Sequence, residues 1–140
     1  MSPEIRLDDP SGVDLGRHAV IEASAGTGKT FAIERLVLRL IAEKGISLDR
    51  ILLVTFTEKA AGEMRERVRD ALARALGDGA LPAGPLQAAL ARFGEAQIFT
   101  LHGFCHRILR AHAFENGQPL RLELLEDPAL PARLLREEMR

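Results

Sequence analysis

A chain of 140 residues carrying a formal net charge of −1 fits one small domain and projects no global field that advertises nucleic acid. Its single cysteine, Cys105, rules out an internal disulfide and fits a reducing cytoplasm, while a polar start, "MSPEIRLDDPSG", argues against a signal peptide. No apolar run is long enough to span a membrane, and the basic residues are nearly all arginine, which reads first as composition bias and only weakly as DNA binding.

Residues 1–18 read as an irregular lead-in punctuated by Pro3, Pro10 and Gly12. "HAVIEA" (18–23) is a short apolar stretch ending in a glycine-rich turn, which predicts a buried strand. In "KTFAIERLVLRLIAEK", Ile33, Leu36, Val37, Leu40 and Ile41 recur at helical spacing, and Gly45 is placed to close the helix. "RILLVTF" is a continuous apolar run, the pattern of a strand covered on both faces. Thr57 can cap the next helix, with Glu58 favourable beside its dipole. That helix is expected to reach about Leu76. It should bury Ala60, Ala61, Met64, Val68, Leu72 and Ala75, with Glu63 paired to Arg67. A loop over 77–85, a short helix near 86–93, a strand "AQIFT" and a helix from His102 to Phe114 follow. "PLRLELLED" suggests a further strand, and "DPALPARLLREEMR" opens a helix over 128–140 that the chain end truncates. Strands alternating with helices predict an α/β fold with a parallel sheet flanked by helices and joined by right-handed crossovers.

The run Ala23-Ser24-Ala25-Gly26-Thr27-Gly28-Lys29-Thr30 fits a phosphate-binding P-loop except that alanine stands at the first glycine. Gly26 and Gly28 let backbone amides turn inward around phosphates without Cβ clashes. The positive end of the following helix points at the same place. Lys29 would reach the β- and γ-phosphates, and the Thr30 hydroxyl would ligate Mg2+. The predicted strand before and helix after favour this reading over a chance glycine-rich turn. The loop alone does not say which nucleotide is bound or what work it drives.

The next strand ends in Thr55-Phe56-Thr57, at the carboxyl end of a parallel strand, where ligands approach such sheets. Hydroxyls and amides there suit phosphates, and an aromatic face suits a base. Composition alone favours Phe56 as core and Thr57 as a mere cap, so both readings stand at this point.

"IEASAGTGKTF", "ILLVTFTEKAAGEMRERV" and "IFTLHGFCHRILRAHAFE" occur in that order. Together they resemble the first motifs of UvrD/Rep-type superfamily 1 DNA helicases. The closer resemblance is to the RecB-type beta subunit of the bacterial exonuclease V helicase–nuclease, through "EASAGTGKTF", "HGFC" and "AFENG". It spans residues 19–127 and implies the N-terminal part of a RecA-like, P-loop ATP-binding domain, incomplete here. It also implies that ATP and Mg2+ bind at Gly26, Thr27, Gly28, Lys29 and Thr30. Single-stranded DNA would contact Thr55, Phe56 and Thr57 in the second motif and Thr100, Leu101 and His102 in the third, with Phe104 packing behind. Members move 3′-to-5′ along one strand in DNA repair and recombination, some with partner subunits as in a RecBCD-type complex. One departure is that no glutamine precedes Gln87, whereas many relatives read adenine with a glutamine upstream of the P-loop.

No acidic Walker B pair is evident; "LELLED" (122–127) alternates like a surface strand. A fragment without that base, the second RecA-like domain and its arginine finger is expected to bind nucleotide weakly and neither hydrolyse nor unwind. His102, Cys105, His106 and His112 invite a metal reading, but adjacent Cys105 and His106 point about 100° apart on a helix. Arg107 and Arg110 form a mild basic face that suits a DNA backbone or plain solvent equally. A small-molecule P-loop kinase, and a non-catalytic remnant or interaction module, are the competing readings.

Overall fold

The computed structural model describes residues 12–21, 28–115 and 117. The chain divides into two units, Met1–Phe104 and Cys105–Arg140. In order, the described elements are α1 (Lys29–Ala42), β1 (Leu52–Thr55), α2 (Glu58–Asp78), α3 (Ala83–Ala91), β2 (Gln97–Thr100) and α4 (Leu101–Ala111). Short 3-10 turns at Leu48–Arg50 and Phe93–Glu95 lead into the two strands. The result is a helix-rich α/β arrangement around a small parallel sheet of two strands.

Helix α1 starts directly after Gly28, whose φ of 91° lies in the left-handed region that a Cβ would strain. It stops where Gly45 turns to φ 63° and the Ile46 N–H returns to the Leu40 carbonyl at 3.1 Å. Near that end Arg39 grips Glu43 through two hydrogen bonds of 2.8 and 3.1 Å and donates a third, 3.0 Å long, to the Val13 carbonyl. The Arg39 hydrogen bond holds the Glu43 carboxyl below its ordinary value. Helix α2 starts from Thr57, whose hydroxyl accepts the Ala60 N–H at 3.1 Å, and ends at left-handed Gly79.

The core of the first unit joins three helices and one strand. Val37 and Ile41 of α1, Val68 and Leu72 of α2, Leu86 of α3 and Ile98 of β2 are its largest fully buried side chains. Each such residue removed from water stabilises the fold by about 1.5–3 kcal/mol. A buried carboxylate accompanies them: Glu34 of α1 is 5% exposed and lies 3.6 Å from both Arg67 and Arg74 of α2.

Several expectations need correction. Residues 18–21 form no strand, and Val20 is 88% exposed. A short apolar run becomes a strand only where another backbone satisfies its amides, and the ladder among the described residues joins β1 to β2 alone. Strand β1 is not covered on both faces, since Leu52 and Val54 are each 43% exposed. Arg67 turns to buried Glu34 rather than to Glu63, which lies 3.9 Å from Lys59. A buried carboxylate offers an arginine more than an exposed i,i+4 partner does. The predicted strand at 119–127 and the helix at 128–140 fall outside the described residues. No helix among the described residues is long and apolar enough to cross a membrane.

Candidate functional site

Strands β1 and β2 run parallel with Leu52 opposite Gln97 and Thr55 opposite Thr100. Their carboxyl ends are therefore level. The chain leaves β1 through Phe56 and Thr57 into α2, and passes from β2 straight into α4, whose first residues are Leu101 and His102. Two triplets singled out more than forty residues apart in sequence thus lie side by side on one rim of the sheet. Phe56 is 88% exposed there, so its ring is not part of the core. Thr57, Leu101 and His102 are exposed as well, and Phe104 is half-buried.

The three threonines of this rim differ in what they have left to offer. A hydroxyl carries one proton and two lone pairs. Thr55 donates its proton to the Thr57 carbonyl at 3.2 Å. Thr100, 5% exposed, donates its proton to Glu58 Oε1 at 2.9 Å and accepts the Gly103 N–H at 3.0 Å. Thr57 uses a lone pair to cap α2 at Ala60, which leaves its proton to donate outward.

Of the phosphate-loop residues, Ala23, Ser24, Ala25, Gly26 and Thr27 lie outside the described residues. Gly28, Lys29 and Thr30 open α1, with Lys29 exposed and Thr30 half-buried. The first turn of this 14-residue helix contains no acid. A lysine at the positive end of a helix suits a phosphate group.

Elsewhere, a groove of ≈ 480 Å³ between α1 and α2 is lined by Phe31, Glu34, Arg35, Leu38, Arg74 and Leu81 among others, and contains none of the predicted site residues. The Arg35 guanidinium sits 5.5 Å from the Phe31 ring centre at its edge. In the second unit His112 Nδ1 lies 2.8 Å from Glu115. Among the described residues no cluster of three His, Cys, Asp or Glu side chains could hold a metal ion.

Sequence reasoning missed that two polar side chains, Glu34 and Thr100, are buried, which periodicity could have found. Glu34 stands three, four and seven positions before Val37, Leu38 and Ile41, on the apolar stripe of α1. Thr100 shares the buried face of β2 with Ile98, two residues away.

The sequence profile of the UvrD/REP helicase N-terminal domain matches residues 11–137. RecBCD enzyme subunit RecB of Escherichia coli (strain K12) is 37% identical over 158 residues, a match covering 93% of this chain and 13% of that protein. An ATP-dependent helicase/nuclease subunit of Pelotomaculum thermopropionicum is 44% identical over 104 residues, covering 73% of this chain and 8% of that protein. RecBCD enzyme subunit RecB of Mycobacterium tuberculosis (strain H37Rv) is 38% identical over 133 residues, covering 79% of this chain and 12% of that protein. The chain therefore spans between 8% and 13% of the length of these relatives.

Proposed function

The chain belongs to the UvrD/REP helicase N-terminal domain family, and from that premise we propose that it is the nucleotide-binding, strand-gripping part of a RecB-type ATP-dependent 3′-to-5′ DNA translocase. Its two-stranded α/β arrangement is then a piece of a RecA-like P-loop domain. The intact protein works in the cytoplasm in repair and recombination, within a RecBCD-type assembly. The observation that carries this reading is the level rim, where exposed Phe56 and Thr57 stand beside exposed Leu101 and His102.

Each residue has a physical role in the proposal. Ala23 to Gly28 wrap amides around the phosphates of ATP, Lys29 balances the charge of the β- and γ-phosphates, and Thr30 holds Mg2+. The bound nucleotide supplies the free energy of phosphoryl transfer to water. On the rim, Phe56 gives a base a stacking face worth about 1–3 kcal/mol whatever the base. The Thr57 hydroxyl and the amides at the start of α2 face a phosphate, positioning the strand without reading its sequence. Leu101 and His102 hold the neighbouring nucleotide.

Lys29→Ala in the intact protein tests the nucleotide half. DNA-stimulated ATP hydrolysis is expected to vanish while single-strand binding stays near the parent level. Equal hydrolysis in variant and parent would overturn the assignment of Lys29.

A further inference from the structure

We infer that Glu58 is a positioning residue that fixes the spacing of the two strand-gripping segments by acting through Thr100. The inference rests on the DNA reading above and deepens it. Its geometry is a short relay. Glu58 is the first residue of α2, directly after Phe56 and Thr57. Thr100 is the last residue of β2, directly before Leu101 and His102. The Thr100 hydroxyl donates to Glu58 Oε1 at 2.9 Å, and the same oxygen accepts the Gly103 N–H at 3.0 Å. One buried oxygen thus joins the start of α2 to the first turn of α4. Gly103 completes the fit, because a Cβ there would stand 3.0 Å from the Thr100 oxygen.

Two physical points favour positioning over contact. With its proton already given to Glu58, and 5% exposed, Thr100 has none to donate to a phosphate. Glu58 itself carries the wrong charge to attract DNA, and a carboxylate on a phosphate-gripping rim repels the strand. The relay makes sense as preorganisation. A charge-assisted bond holds both segments in one arrangement, so less order must be imposed when the strand arrives.

Charge and positioning predict opposite signs, which makes the test sharp. Binding of a fluorescein-labelled oligothymidylate to the intact protein is followed by anisotropy at one fixed salt concentration. Phe56→Ala serves as the reference for the reading itself. Glu58→Ala is expected to weaken binding roughly three- to tenfold, the size of one lost hydrogen bond, although it removes a repulsive charge. Glu58→Gln keeps an oxygen that accepts the Thr100 hydroxyl and is expected to bind at least as tightly as the parent. Thr100→Val loses the Gly103 bond as well and keeps the Glu58 charge, so it should bind no tighter than Glu58→Ala, and the double variant should be no weaker than Thr100→Val, in which the bond to Glu58 is already gone. If Glu58→Ala does not fold, Thr100→Ser against Thr100→Val makes the same comparison: weaker binding by the valine variant alone supports the relay, and equal binding by the two overturns it. Should Glu58→Ala bind as tightly as the parent while Phe56→Ala is weakened, the positioning role is lost and the DNA reading survives. Should Phe56→Ala bind like the parent, both are lost.

Discussion

At the residue scale, Phe56 is the side chain whose environment says most about function. A ring that is 88% exposed contributes little to the core, so its removal separates stability from binding. Phe56→Ala is expected to leave the unfolding midpoint in urea within about 0.5 kcal/mol of the parent. Single-strand affinity should fall by about 1–3 kcal/mol, equally for oligothymidylate and mixed sequences. A loss confined to some sequences would contradict stacking. Composition favoured core for this residue and only the family resemblance pointed to the rim, for a physical reason. Thr55, Phe56 and Thr57 form the break between a period of two and a period of 3.6, and within such a break neither period says which way a ring points. Glu34 is the reverse case: it lies on a readable stripe, but the apolar pattern hid the charge inside it.

The elements show where local chemistry was sufficient and where it was not. Helix α1 was legible from its apolar spacing and the stop at Gly45, and α2 from its Thr57 cap and apolar spacing, although α2 runs to Asp78 rather than Leu76. The parallel pairing followed from alternation of strand and helix, and it alone brings the two triplets to one rim. Strand burial was not legible, since an apolar run reports that a face can be covered, not that something covers it; Leu52 and Val54 are the evidence. At this scale Thr57 caps α2, and the proposal adds a second duty, donating its hydroxyl proton to a phosphate. Substitution can part them. Thr57→Ala should cost about 1 kcal/mol of stability. Thr57→Asp keeps a cap and should hold stability near the parent in thermal unfolding, yet weaken single-strand binding through like charge. A strong binder with aspartate at this position would remove Thr57 from the interface.

Across the whole molecule, the junction of α1 with α2 links the helix that opens at Lys29 to the helix that opens beside Phe56. Glu34 sits in that junction with Arg67 and Arg74, each 3.6 Å away. Converting both arginines to methionine strands a buried carboxylate and is expected to lower unfolding free energy in urea by about 1–3 kcal/mol. Adding Glu34→Met to that pair should restore much of the loss, because apolar side chains of similar volume replace buried ion pairs well. No change in the double variant would mean that the arginines do not hold Glu34. A different arginine governs the sheet. Arg65 of α2 donates to the Ile98 carbonyl at 2.9 Å, while the Ile98 N–H turns back to Ala96. Both backbone groups of Ile98 thus face away from β1, and a guanidinium stoppers that side of the ribbon. Among the described residues, this arginine leaves the flank of β1 as the side of the ribbon better placed to receive a further strand.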